Sequence, residues 1–331
     1  MKGRQSPLAL SIALVILAAA AVPAAAAPGA SADARAEHQR IVRYWTPARM
    51  KAAIPRGLTR ANPPHTPAGK PGRSSSTVTG ATWTKGGIVR ESVGKVFFTL
   101  GSTNYTCSGS VTEDGRANVS LVLTAAHCAY DETSDDFATN WLFIPDYQSA
   151  PTRACEDTKY VCWTAEALVV HKGWADEPGF TDQATRYDFA FAVVGPGGKS
   201  DSDLLQLDKV VPPFPITFTP VSQGTQVYAF GYPAAGKYKG TKLVYCAGPV
   251  GFDAWNDKMT YSLPCDMTGG SSGGPWFTDF NDKTGSGTQV SLNSYSYATV
   301  KAMYGPKFED PAKAVYGAAT DSVATNTIVS S

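Results

Sequence analysis

Charge is scarce in this sequence. Only 17% of its 331 residues are Asp, Glu, Lys or Arg, and 29 basic against 28 acidic side chains leave a formal net charge of +1. So balanced a chain lacks the overall basic field that points to nucleic acid. Histidine is rarer still, with four residues at positions 38, 65, 127 and 171. After one apolar run from Leu8 to Val22, no comparable stretch returns, and a membrane-spanning helix needs about 20 residues. Long helical periods are missing from Trp83 onward, which argues against a doubly wound sheet. What the chain has is 43% hydrophobic residues, 11% aromatics and 31 glycines. That is enough to bury a sizeable core, so disorder throughout is excluded.

The net balance hides two kinds of chain. Residues 1–80 hold eleven Lys or Arg and two acids, which leaves 18 basic against 26 acidic residues for 81–331. Lys2 and Arg4 precede the apolar run, Pro23 breaks it and small residues follow through Ala27. This is the layout of a secretory signal peptide over 1–27, with cleavage between Ala26 and Ala32. The compartment is then oxidising, and six cysteines read as three bridges in place of metal ligands. Residues 28–80 carry nine basic and two acidic side chains. Ala36 to Trp45 can form a helix, and Thr46-Pro47 can cap a second short one. Beyond Ile54, five prolines and Ser74-Ser75-Ser76 have the composition of a linker with no core. The segment reads as a basic propeptide or linker that docks on the acidic remainder by charge and is expected to hold it inactive until removed.

Past Trp83, short apolar runs alternate with Gly, Pro, Asn and Asp. Strands are expected at Val96–Leu100, Ser120–Thr124, Trp141–Ile144, Ala167–Val170, Phe189–Val194, Gln226–Phe230, Lys242–Tyr245, Pro275–Phe280 and Gln289–Tyr295. They predict an all-β domain over 81–331, with an N-terminal barrel at about 83–200 and a C-terminal barrel at about 210–331. A short helix over Glu309–Ala319 is expected to dock on the second barrel.

Three segments gather chemistry. Leu123-Thr124-Ala125-Ala126-His127-Cys128 runs a strand into small residues and then presents a histidine. Arg186-Tyr187-Asp188-Phe189-Ala190 puts an aspartate at the mouth of an apolar strand. Gly269-Gly270-Ser271-Ser272-Gly273-Gly274-Pro275 offers a tight turn that exposes a hydroxyl beside converging backbone N–H groups. Each alone reads equally well as a strand end, a turn or a loop. Together they supply a nucleophile, a base and a carboxylate to orient the base. The serine loop also fits the Gly-x-Ser-x-Gly pattern of lipases and esterases, but their histidine follows the serine, and every histidine here precedes Ser272. His38 and His65 fall in the N-terminal segment and His171 at a strand end, which leaves the order His127, Asp188, Ser272.

Thr124-Ala125-Ala126-His127-Cys128, Tyr187-Asp188-Phe189-Ala190 and Gly270-Ser271-Ser272-Gly273-Gly274-Pro275 resemble the three signature segments of trypsin-like serine endopeptidases, over roughly three-quarters of the chain. The resemblance implies two antiparallel β-barrels of the chymotrypsin type, with a short C-terminal helix here and the site in the cleft between the barrels. It implies His127 as general base, Asp188 as its orienting carboxylate and Ser272 as nucleophile. The backbone N–H groups of Gly270 and Ser272 would form the oxyanion hole. It also implies a Cys107–Cys128 bridge behind the histidine; Cys155–Cys162 and Cys246–Cys265 are expected from proximity alone.

The sequence departs from vertebrate trypsin-like enzymes at Ser271, where they carry an aspartate that receives a freed N-terminal amine. Activation by an inserted N-terminus is therefore not expected. The run Cys265-Asp266-Met267-Thr268-Gly269-Gly270-Ser271-Ser272 is closer to the secreted bacterial branch that includes glutamyl endopeptidases. No histidine follows Ser272 to recognise an acidic side chain, so glutamyl specificity is not expected either. Asp266 has the offset of a trypsin specificity aspartate, yet Cys265 directly before it suggests a different loop path. The pocket's far wall is expected from Leu292, Asn293, Tyr295 and Tyr297, which favours a neutral or apolar residue before the cleaved bond. Neither cofactor nor metal is implied. The expected partners are a peptide or protein substrate and the chain's own propeptide, with no nucleic acid, no membrane after signal cleavage, and a monomer. The alternative is a catalytically idle relative that binds proteins or surfaces.

Overall fold

A computed structural model describes residues 32–61, 77–116, 119–198, 204–321 and 325–330. The expected signal peptide and most of the Pro/Ser-rich linker lie outside them. The chain opens with helices α1 (Ala32–Tyr44) and α2 (Pro47–Ala52). The Thr46 hydroxyl caps α2 by accepting from Arg49 N–H, and Pro47 begins the helix, where its missing N–H costs nothing. Two short strands follow, β1 (Ile54–Pro55) and β2 (Leu58–Arg60).

The helical part of this segment builds a core of its own on the barrel, while the proline-rich linker expected beyond Ile54 lies mostly outside the described residues. His38 and Ile41 on one face of α1, Trp45 directly after the helix, and Met50 of α2 are buried. His38 Nδ1 is 3.0 Å from Thr164 Oγ1, and the Trp45 ring packs 5.4 Å from Phe97. Among its described residues, docking is mainly apolar. Among the described residues, Arg60–Asp182 is the one ion pair between the segment and the rest of the chain. A partly exposed pair is worth about 0–1 kcal/mol, whereas each large buried apolar side chain contributes roughly 1.5–3 kcal/mol.

After β3 (Val78–Thr82) and a turn of helix, α3 (Ile88–Ser92), comes the first barrel. Its strands are β4 (Val93–Leu100), β5 (Thr103–Thr112) and β6 (Ser120–Thr124). Past the small hairpin of β7 (Tyr130–Asp131) and β8 (Asp136–Phe137), β9 (Thr139–Pro145) and β10 (Trp163–His171) continue it. The single turn α4 (Lys172–Ala175) leads towards β11 (Ala190–Val194). The order β5-β4-β9-β10-β11-β6 closes on itself through β5–β6 pairing, giving six antiparallel strands. β4 is buried along its whole length. One face looks into the barrel and the other lies under Trp45 and Tyr147, so apolar Val96, Phe97 and Phe98 follow one another without alternation.

The turn α5 (Leu207–Val210) crosses to the second half. There, β12 (Gln226–Gly231), β13 (Val244–Pro249), β14 (Gly251–Phe252) and β15 (Thr260–Pro264) precede β16 (Pro275–Asn281), β17 (Ser286–Leu292), β18 (Tyr295–Tyr297) and β19 (Ala302–Pro306). They form two five-stranded sheets, β17-β16-β12-β13-β3 and β14-β15-β19-β18-β2, around a core that includes Val227, Tyr261, Leu263 and Trp276. Both groups recruit strands from upstream: β3 from before the first barrel and β2 from the N-terminal segment.

Helix α6 (Asp310–Asp321) departs from expectation. It packs on β10 and β11 of the first barrel, where Ala312, Val315 and Ala319 are buried and Tyr316 meets Phe191 at 5.5 Å. Phe308 sets this path by packing on Phe189 just before the helix. The terminal strand β20 (Thr327–Val329) then pairs with β10.

Candidate active site

The cleft between the halves collects the three segments singled out above. β6 ends at Thr124, and a 3-10 turn over Ala126–Cys128 holds His127 fully buried. The Cys107–Cys128 disulfide ties this turn to β5; Cys155–Cys162 and Cys246–Cys265 also join as expected. With both neighbouring sulfurs in the bridge, no thiolate remains beside His127 to complete a metal set.

Asp188 follows a 3-10 turn over Ala184–Tyr187 and is likewise fully buried at the entrance to β11. Its Oδ1 accepts from the His127 backbone N–H at 3.0 Å, and its two oxygens lie 3.0 and 2.9 Å from His127 Nδ1. The Ser294 hydroxyl donates to Oδ2. Burial pushes the Asp188 carboxyl up, but the adjoining imidazole and these hydrogen bonds outweigh it, leaving the group below its ordinary range. A carboxylate in this position holds Nδ1 as the protonated nitrogen and leaves Nε2 to accept a proton. Nε2 is buried and has no hydrogen-bond partner among the described residues.

The serine loop is pinned from both barrels. Ser108 on β5 donates its hydroxyl to Gly270 O, and its backbone N–H donates to Ser272 O at 2.7 Å. Gly270 and Gly273 adopt φ of +92° and +80°. A Cβ on Gly273 would fall 2.4 Å from Ser108 O, so glycine is required there by both backbone and space. Ser271 turns its hydroxyl inward to Thr268 O at 2.8 Å. Ser272 points into the cleft, where Oγ donates at 3.3 Å to the carbonyl of Arg56, and the Gly270 N–H donates to that same oxygen at 2.7 Å.

The residues expected to line the specificity pocket are placed differently from one another. Asp266 lies against Gly80, ion-paired with Lys237 at 2.6 Å and accepting from the Tyr238 hydroxyl. Asn293 is buried beneath the serine loop. Its amide donates to Phe230 O and Ser271 O, and its carbonyl accepts from the Trp276 indole at 2.8 Å. These contacts support the loop from behind. Tyr295 does reach the cleft, with its backbone paired to Leu58 and its hydroxyl donating to the buried Asp253. Sequence reasoning missed Ser108 and Ser294. Both are ordinary serines in sequence, and only the contact between the two halves, Ser108 on the serine loop and Ser294 on Asp188, gives them a role.

The fold and this cleft define the class: a chymotrypsin-fold serine protease. Comparison with known proteins agrees. The trypsin-like peptidase domain matches residues 107–283. The protease Anisep from Arthrobacter nicotinovorans is 37% identical, with 70% of this chain and 96% of that one covered and a TM-score of 0.60. The thermostable serine protease AL20 from an extremophilic microorganism is 32% identical, covering 71% and 99%, also with a TM-score of 0.60. A Glu endopeptidase, at 18% identity, 71% and 96% coverage and a TM-score of 0.51, shares the fold. Among curated protein sequences, nothing matches. The chain belongs to the trypsin-like peptidase family and is a serine endopeptidase, a hydrolase acting on peptides or proteins.

Proposed function

We propose that this is a secreted endopeptidase that works through an acyl-enzyme, with Ser272 as nucleophile, His127 as general base and Asp188 as the group that orients and stabilises the imidazole. His127 Nε2 takes the Ser272 proton as Oγ attacks the substrate carbonyl carbon. The carbonyl oxygen becomes an oxyanion held by the Gly270 and Ser272 N–H groups. Collapse of the tetrahedral adduct breaks the C–N bond, and the imidazolium gives its proton to the departing amine. Water then repeats the sequence on the ester. The observation that carries this reading is the Arg56 carbonyl, which already accepts from Gly270 N–H and Ser272 Oγ where a scissile carbonyl would sit.

Secretion is supported by the charge and apolar layout of residues 1–27 and by three disulfides. No helix among the described residues is long and apolar enough to cross a membrane. A neutral or apolar residue before the cleaved bond is favoured by the engagement of Asp266 with Lys237 and Tyr238. The test is substitution in the processed enzyme. Ser272→Ala leaves a folded protein without peptide hydrolysis, whereas Ser271→Ala, which loses only an inward hydrogen bond, stays active. Activity that disappears with Ser271 and survives loss of Ser272 contradicts the assignment.

A further inference from the structure

We propose that residues 54–60 are a built-in inhibitor lying in the substrate cleft with the chain running opposite to a substrate. The proposal rests on the catalytic reading above. Direction follows from where the proton must go. A substrate that presents its carbonyl to Gly270 N–H must place the next residue, which carries the leaving nitrogen, on the His127 side of the cleft. That side is the first barrel, where Cys107 on β5 is bridged to the residue after His127.

The segment does the reverse. The residues before Arg56 lie on the first barrel: Ile54 and Pro55 pair in parallel with Tyr105 and Thr106 of β5, and Arg56 N–H donates to Thr106 O at 3.0 Å. The Arg56 side chain stays on that side, with Nε donating to His127 O at 2.8 Å. The residues after Arg56 leave along the second barrel. A Cβ on Gly57 would sit 2.8 Å from Gly269 Cα, and Leu58, Thr59 and Arg60 pair in parallel with Tyr295, Ser296 and Tyr297 of β18. A chain of opposite polarity would pair antiparallel with both strands.

The consequence is occupation without turnover. Arg56 C=O fills the oxyanion position and takes the Ser272 hydroxyl as a hydrogen-bond donor, while the Gly57 nitrogen heads away from His127. Ser272 is left only 4% exposed and His127 fully buried, so no substrate reaches either. The far end is anchored by Arg60. Its guanidinium pairs with Asp182 and lies 5.8–5.9 Å from the ring centres of Phe180, Tyr295 and Tyr297. The close approach at Gly57 explains why glycine stands there.

The test uses the intact chain and a fluorophosphonate that labels an assembled serine site. Wild type labels slowly. Arg60→Ala, which removes the cation from its aromatic cage, and Gly57→Ala, whose methyl meets Gly269, label about tenfold faster. Asp182→Asn, altered outside the segment, removes only the ion pair, so it accelerates labelling by a smaller factor of about two and keeps the test sound if a segment variant misfolds. Equal rates in wild type and all three variants overturn the inference. Absence of labelling in every intact form and in the processed enzyme overturns the catalytic reading on which it rests. Polarity is read by mass spectrometry of intact wild type after prolonged incubation. An unbroken Arg56–Gly57 bond is expected, and cleavage there means the segment lies in the substrate direction.

Discussion

Asp188 is buried as an anion, and that has consequences for both rate and stability. Asp188→Asn keeps the shape but cannot hold the imidazole in the required tautomer, so kcat/KM is expected to fall by about 10⁴. Its carboxyl lies below the ordinary range in the folded protein, whereas unfolded it returns to about 3.9. The stability it confers is therefore complete above that value and is lost as pH falls through the lower folded value. Denaturant titrations at pH 6 and pH 2.5 should show wild type losing more stability than Asp188→Asn. Equal losses would mean the carboxylate is not favoured by folding. Asp266 makes the opposite kind of prediction. Held by Lys237 and Tyr238, it is expected to act structurally, so Asp266→Asn should weaken hydrolysis of basic and neutral substrates alike. A selective loss on Lys and Arg substrates would place it in the pocket. Sequence motifs singled out His127, Asp188 and Ser272 because those residues sit in unusual local surroundings. Asn293 was expected in the wall of the specificity pocket, and its place beneath the serine loop was not legible because its partners Phe230 and Trp276 are remote in sequence.

At the scale of elements, β4 carries an unusual burden in Lys95, a buried lysine that donates to Gly240 O at 3.0 Å. Burial lowers its ammonium from the ordinary 10.5 to about 7. Between those values the unfolded chain binds a proton that the folded chain does not, so stability rises with pH across the window. Lys95→Met removes this dependence. It should be more stable relative to wild type at pH 6 than at pH 10, as measured by thermal unfolding; a constant difference would refute the burial argument. The bridge between β5 and the His127 turn joins cysteines 21 positions apart and is worth about 3 kcal/mol by loop entropy. Replacing Cys107 and Cys128 together by serine should cost stability of that order and most of the activity. Replacing Cys155 and Cys162 should leave activity nearly intact, because that bridge fixes neither the His127 turn nor the serine loop. The strands with apolar runs, such as β6, β11 and β12, were readable from sequence. β5 was not: Thr103–Thr112 is rich in Thr and Ser, and its burial depends on hydroxyls finding partners across the structure, as Thr106 does on Val96 O and Ser110 on Gln289. Gln289–Tyr295 read as one strand but breaks at Asn293 and Ser294, the residues diverted to the serine loop and to Asp188.

For the whole molecule, the N-terminal segment is the principal revision. Its basic composition suggested attachment by charge, but its apolar face and two strands integrate it into both barrels. Composition could not reveal this, because β1 and β2 gain hydrogen-bond partners only once β5 and β18 have formed. Docking by packing has a salt signature. Labelling of the intact chain should change little between low and high ionic strength, since Arg60–Asp182 is the one ion pair to be screened between the segment and the rest among the described residues; strong acceleration by salt would restore the electrostatic view. The central claim is that one hydroxyl in this closed cleft performs the chemistry. Peptide mapping by mass spectrometry after fluorophosphonate treatment of the processed enzyme tests it directly. The account predicts a single adduct on Ser272, absent in Ser272→Ala and present in Ser271→Ala. An adduct on Ser271, or none on a folded and processed enzyme, would contradict it.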